Sequence, residues 1–213
     1  MIIVNFLGDS ITHGCWASAP EKNYVSLVGK AEGITSRNYG VGGARIAHEI
    51  HAEGDAFEPY CFLNRVKDME PSDLLYVFGG TNDYGHGDVP MGKLGDTDPY
   101  TFYGALETLI GMIEKKIDLS KVTFILPIPR YGEDKTCYER KYPNGCVLED
   151  YRNAIKEEAK AKGIRVLDLC SYFPLPTSQE EEGLYKDGLH PNDKGHALLA
   201  KLIVMDIHKQ LGE

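Results

Sequence analysis

Five times along this chain a short apolar run gives way to a longer amphipathic stretch, and that alternation restricts the fold more than any other feature. The runs are Met1–Leu7, Ile34–Tyr39, Asp73–Phe78, Val122–Leu126 and Ile164–Leu169. Each is too short for a helix, and the first is largely apolar and rich in β-branched residues, as suits a strand buried on both faces. Helical patterns are predicted over about 24–31, 59–69, 100–116, 148–162 and 192–210. The third of these has Leu106, Leu109, Ile110 and Ile113 at the spacing of one buried face. In the last, Ala197, Leu198, Lys201, Leu202 and Met205 lie along one side. Gly33 and Gly163 are expected to close helices. Strand and helix in alternation predict an α/β fold with a five-stranded parallel sheet covered by helices on both faces. A length of 213 residues suits one domain with a substantial core.

Charge narrows the partners. The net charge of -9 argues against nucleic acid and against anionic membranes, since both require clustered Lys and Arg. No stretch reaches the length of a membrane-spanning helix. The first strand begins at Met1, which leaves no room for a secretory leader, and a cytoplasmic location is the expectation. Five cysteines (Cys15, Cys61, Cys137, Cys146 and Cys170) are odd in number and contain no CxxC, so neither a disulfide framework nor a zinc knuckle is indicated. Cys137 and Cys146 flank one loop and could pair, although free thiols are expected. His48 and His51 fall on a short predicted helical turn over 46–51, where a solvated face is a better reading than a metal site.

Parallel strands all point one way, so residues placed just past their carboxyl ends meet at one edge of the sheet. Four polar clusters occupy such places or late loops. Ser10 follows the first strand in Gly8-Asp9-Ser10-Ile11. Gly40-Val41-Gly42-Gly43 follows the second, and Gly80-Thr81-Asn82-Asp83 the third. Asp187-Gly188-Leu189-His190-Pro191 precedes the last helix. The glycines do not make a dinucleotide loop: Arg45 stands where the third glycine of GxGxxG belongs, and the motif should follow the first strand.

Acyl transfer would use these groups together. A serine hydroxyl needs a neighbouring base to take its proton, and histidine ordinarily titrates near pH 6.5. Asp187 could hold one nitrogen of His190 while the other faces Ser10. The backbone N–H groups of Ser10 and Gly43 and the side-chain amide of Asn82 are candidate donors to an oxyanion. Each residue also has a plainer reading: Ser10 as a helix cap, Gly42-Gly43 as a turn, Asn82 as an Asx-turn, His190 as an exposed loop residue beside a helix that Asn192 caps. Their joint arrival at one edge favours chemistry.

The four blocks, in this order, resemble those of the SGNH hydrolases, also called GDSL-type esterases, over nearly the whole chain. Gly8-Asp9-Ser10-Ile11 matches the nucleophile block, and Gly43 and Asn82 match the oxyanion donors. Asp187 and His190 match the acid and base. The resemblance implies a three-layer α/β/α sandwich of flavodoxin-like type, no cofactor, no metal, and cleavage of an ester, thioester or sugar acetate. The order Ser, Asp, His, with the last two on one loop and no GxSxG around Ser10, separates it from the larger α/β hydrolases.

Substrate walls are expected from loops 84–99, 131–146 and 171–186, which carry Tyr84, Tyr131, Tyr138, Tyr142, Tyr172 and Tyr185. Tyrosines among polar residues suit a sugar face better than a long acyl chain, so a short-acyl esterase, and among these a carbohydrate deacetylase, is the expectation. Asp9, Asp83, Tyr84 and Arg130 are further candidates for substrate contact, Arg130 reaching an anionic group or pairing with nearby acids. Three other readings stand beside this one: a lysophospholipase or thioesterase for longer chains, a metal-dependent phosphohydrolase using Asp9, Asp187 and histidines, and a non-catalytic binding domain.

Overall fold

The apolar runs pair in parallel and at the expected places. A computed structural model describes residues 1–49, 60–86, 88–135 and 144–212. Its strands are β1 (Ile2–Gly8), β2 (Ile34–Gly40), β3 (Leu74–Phe78), β4 (Val122–Ile125) and β5 (Arg165–Leu167). They form one parallel sheet in the order β2-β1-β3-β4-β5. That order is flavodoxin-like, and it reverses between β1 and β3. Gly8, the last residue of β1, lies between Gly40 on one side and Phe78 on the other.

Side chains alternate across the sheet, so each strand feeds two cores. On one face Leu7, Leu75, Val77 and Phe124 pack with α3 (Phe62–Arg65), α5 (Phe102–Glu114) and α6 (Leu148–Lys162). On the other, Val4, Phe6, Tyr76 and Phe78 pack with α2 (Tyr24–Val28) and α7 (Asp193–Leu211). The short helices α1 (Ser10–His13) and α4 (Thr81–His86) start directly after β1 and β3. Both faces are therefore covered, as the continuous apolar strands require.

Several elements depart from the sequence reading, each for a local reason. Residues 46–49 form no helical turn, because the Ile46 and Ala47 N–H groups donate to the Asp83 carboxylate and the His48 N–H donates to the Pro99 carbonyl. The Nδ1 of His48 sits 3.6 Å from the Cys61 sulfur and its ring lies beside Tyr100, while His51 lies outside the described residues. The helix expected to reach Met69 is one α-turn followed by one 3₁₀ turn, Val66–Asp68. The helix expected over 24–31 stops at Val28 and is capped by Gly29 rather than closed by Gly33. Gly163 does close α6, in the left-handed conformation. Tyr84 belongs to α4 rather than to the loop beyond it, since its N–H closes the first turn on the Gly80 carbonyl.

The last helix packs a different side from the one that Ala197, Lys201 and Met205 mark. Leu199, Ile203 and Ile207 are fully buried, together with His196, whereas Ala197, Lys201 and Met205 face solvent. Burying each of those aliphatic side chains contributes about 1.5–3 kcal/mol. His196 can sit on the packed face because both ring nitrogens have partners: Nδ1 accepts from the Tyr24 N–H at 3.3 Å, and Nε2 lies 3.3 Å from the Cys15 carbonyl. Burial pushes its basicity down, consistent with a neutral ring.

Candidate active site

Ser10 begins α1 one residue past the Asp9 cap, whose Oδ1 accepts from the Ile11 N–H at 2.9 Å. A tight strand-to-helix junction makes this placement. A Cβ on Gly8 would come within 1.9 Å of the Thr12 hydroxyl, and one on Gly40 within 2.1 Å of the His13 nitrogen. The two glycines therefore let α1 press onto the ends of β1 and β2. Arg65 and Asn38 complete the junction. The Arg65 guanidinium donates to the carbonyls of Gly8, Tyr39 and Tyr60, and the Asn38 amide donates to the Thr12 carbonyl at 2.7 Å. Carbonyls at the ends of strands are thereby satisfied away from water.

Opposite Ser10 stands the loop before α7. The Ser10 Oγ and His190 Nε2 are 2.9 Å apart. The other ring nitrogen, Nδ1, lies 2.8 Å from Asp187 Oδ2, and Asp187 Oδ1 accepts from the backbone N–H groups of His190 and Leu189 at 2.7 and 3.1 Å. Partial burial pushes the Asp187 carboxyl up, but hydrogen bonds from the His190 ring and amide outweigh it and hold the group well below the usual carboxylate range. An ionised Asp187 fixes a proton on Nδ1 and leaves the Nε2 lone pair toward the hydroxyl, the arrangement a general base needs. Ser10 is only 6% exposed, so little water competes for that contact.

The third side of the site is a loop fastened to α4. Val41 to Ala44 form a tight turn with Gly43 at φ +76°, a left-handed conformation that glycine adopts without cost. A Cβ on Gly42, by contrast, would meet nothing within 4 Å. The Asn82 side-chain amide donates to the Ala44 carbonyl at 3.0 Å, which sets that amide next to the Gly43 peptide. Asp83 accepts from Ile46 and Ala47 at 2.9–3.1 Å. Two adjacent residues of α4 thus hold the far side of the glycine loop, at Ala44 and at Ile46–Ala47. Beyond it, Arg45, at the position of the missing third glycine, is buried in ion pairs with Glu49 and with Asp88 at 2.7 Å.

The structure brings Ser10, Asp187 and His190 together and sets Asn82 against the Gly43 loop. It corrects most of the other candidates. Asp9 and Asp83 are buried, and the carboxylate of each accepts from backbone N–H groups rather than facing a substrate. Burial pushes both carboxyls up to about 6 against those hydrogen bonds. Tyr84 is buried as well, with its hydroxyl donating to the carbonyls of Gly132 and Lys135. Arg130 lays its guanidinium over the Tyr84 ring and donates to Thr81, so it braces the start of α4. Of the expected tyrosine walls, Tyr185 is buried, Tyr131 and Tyr172 are exposed, and Tyr138 and Tyr142 lie outside the described residues with Cys137.

One contact escaped the sequence reading. The indole N–H of Trp16 donates to Asp187 Oδ2 at 2.9 Å. Its signal was a lone tryptophan in an otherwise polar connection just after Ser10.

Comparison with known proteins places this geometry in a family. The chain belongs to the GDSL-like lipase/acylhydrolase family, whose model matches residues 6–198, and it is therefore a hydrolase of the ester type. A Lactobacillus plantarum protein of solved structure is 26% identical, with 98% of this chain and 96% of that one covered at a TM-score of 0.78. A protein from Chitinophaga pinensis, described as a possible lipase, is 22% identical, with coverage of 100% and 99% and a TM-score of 0.71. A member of the lipolytic G-D-S-L family from Veillonella parvula is 18% identical, with coverage of 96% and 97% and a TM-score of 0.65. The latter two likenesses concern the fold. No curated protein matches the sequence.

Proposed function

We propose that this protein is a serine esterase that cleaves short-chain carboxylic esters through an acyl-Ser10 intermediate. The observation that carries the reading is the Ser10 Oγ to His190 Nε2 distance of 2.9 Å, with Nδ1 of the same ring on Asp187. His190 takes the hydroxyl proton as Ser10 Oγ bonds to the ester carbonyl carbon. The carbonyl oxygen becomes an oxyanion, received by the N–H groups of Ser10 and Gly43 and by the Asn82 amide. Collapse of this intermediate breaks the bond to the alcohol, which leaves with the proton from His190. Water then attacks the acyl-serine by the same route, and the carboxylic acid departs as Ser10 recovers its proton.

Short acyl groups and polar alcohols, sugar acetates among them, fit the surroundings best. Exposed Trp16 and Tyr131 flank the loop that carries Asp187 and His190. A 310 Å³ cleft beside Trp16 is lined by Ser18, Lys186, Asn192, Asp193 and Lys194 among others. Aromatic faces set among polar groups suit a hydroxylated alcohol better than a lipid chain. No helix of the described residues is long and apolar enough to cross a membrane.

A series of p-nitrophenyl esters tests the proposal. Acetate is expected to turn over faster than octanoate, Ser10→Ala to lower turnover by about a thousandfold or more, and EDTA to have no effect. Loss of activity in EDTA, or most of it surviving in Ser10→Ala, would reject the serine mechanism. Preference for octanoate would reject the short-acyl assignment and favour a lysophospholipase or thioesterase.

A further inference from the structure

We infer that Trp16 is a positioning residue: its indole N–H locks the Asp187 carboxylate in the orientation that serves His190. The inference rests on the reading of Ser10, His190 and Asp187 as a working triad. Oδ2 of Asp187 receives two donors, the Trp16 indole at 2.9 Å and His190 Nδ1 at 2.8 Å. Oδ1 receives two more, from the amides of Leu189 and His190. Three of these four donors come from the loop that Asp187 itself belongs to. Trp16 supplies the one anchor from another element, and it ties the loop before α7 to the turn after α1.

The hydrophobic effect does not explain where this ring sits. Trp16 is 55% exposed, so a large apolar side chain remains in solvent and is held by its polar atom. Its backbone adds a second cost. Trp16 has φ +65°, and among the described residues it is the one non-glycine in the left-handed region. That conformation disfavours a residue with a Cβ by about 1–2 kcal/mol. Strain of this kind persists where the surroundings over-determine it, and here they do. The amides of Gly14 and Cys15 both donate to the Ser10 carbonyl, and the Ala17 amide donates to Gly14. The Ser18 amide and hydroxyl donate to Asp193 at 2.8 and 2.7 Å, and His196 Nε2 lies at the Cys15 carbonyl. The turn that carries Trp16 is thus fixed at its start to Ser10 and at its far side to α7. It meets both halves of the triad.

The electrostatic consequence has a definite sign. A donor on Oδ2 draws off part of the carboxylate charge that would otherwise stabilise a protonated His190. Removing it leaves more of that charge facing the imidazolium, which the Asp187 carboxylate then stabilises more strongly. The other charged groups around the pair are few and do not change in such a variant. Asp9 faces His190 from the α1 cap, and Cys15 and His196 lie on the neighbouring turn and helix. Around the cleft, Lys186 is paired with Glu181, Lys22 with Asp193, and Lys194 completes the lining.

Trp16→Phe keeps the ring and removes the donor. In p-nitrophenyl acetate hydrolysis its kcat is expected to fall about tenfold with KM changed less than about twofold, as small misplacement of a reacting group does. The acid limb of its pH profile is expected to move to higher pH. Trp16→Gln, which restores an N–H donor at that place, is expected to move the limb back. The wild-type chain gives a second readout that needs no catalysis. Trp16 is the single tryptophan in the sequence, so red-edge excitation, which spares the tyrosines, reads this contact alone. Its emission is expected to change with pH, and that change to vanish in His190→Ala. Emission that is flat with pH, or that titrates unchanged in His190→Ala, overturns the inference, as does a Trp16→Phe variant with wild-type kcat and acid limb. A wild-type chain that hydrolyses no ester would remove the proposed function instead, and the emission titration would still decide whether Trp16 and the Asp187–His190 pair are coupled.

Discussion

Asp83 is the perturbation that best separates stability from catalysis. Asp83→Ala removes the acceptor for two buried amides, those of Ile46 and Ala47. Each orphaned N–H costs about 1–3 kcal/mol, or about 4 kcal/mol for the pair. An opposing term comes from the carboxyl itself, which burial raises from 3.8 to about 6. The folded protein therefore binds a proton that the unfolded chain has released, and Asp83 contributes stability that is lost as pH rises through the window from about 4 to 6. The penalty relative to the unfolded carboxylate grows with pH, to about 2 kcal/mol at pH 5 and about 3 kcal/mol above pH 6. Alanine escapes that penalty. The net cost of the substitution is then about 2 kcal/mol at pH 5 but only about 1 kcal/mol at pH 7. Catalysis should not be spared in the same way. The loop that carries Gly43, the proposed oxyanion donor, loses its attachment to α4, and such a donor out of place lowers turnover by about a hundredfold. Urea denaturation at the two pH values and p-nitrophenyl acetate hydrolysis at pH 7 measure both effects. A cost that is equal at pH 5 and pH 7, or a turnover within about threefold of wild type, would refute this account of Asp83.

The strand-to-helix junction and the corrected tyrosine offer two more tests. Gly8→Ala puts a methyl group 1.9 Å from the Thr12 hydroxyl and is expected to destabilise by about 3 kcal/mol, whereas Gly42→Ala, with open space around it, stays within about 0.5 kcal/mol by the same urea melts. Tyr84→Phe strips a donor from the Gly132 and Lys135 carbonyls, so it is expected to cost about 1–2 kcal/mol of stability while esterase turnover stays within about threefold. A large fall in turnover without a fall in stability would return Tyr84 to the substrate surface.

Strands were the most legible part of this fold, because a run apolar on both faces has few places to go except the middle of a covered sheet. The convergence of Ser10, Asp187 and His190 was legible for a topological reason: all parallel strands end at one edge. What escaped detection depended on single hydrogen bonds. The segment 46–49 has helical composition but takes its partners from Asp83, one strand away. His196 packs on the buried side of α7 because Tyr24 and Cys15 satisfy the ring. Tyr84 and Asp83 sit beside Asn82 in sequence, yet one turn of helix points them into the protein. Periodicity describes which faces are apolar. It carries no information about which buried amide a carboxylate will find across the sheet.

The most direct test is chemical capture of the hydroxyl near the amino terminus. A fluorophosphonate should attach to intact protein once, and mass spectrometry of the digested adduct should locate it on Ser10, with labelling slowed about a thousandfold or more when His190 is replaced by alanine. An unmodified protein, or phosphonate carried by any other residue, would contradict the assignment of Ser10 as an activated nucleophile.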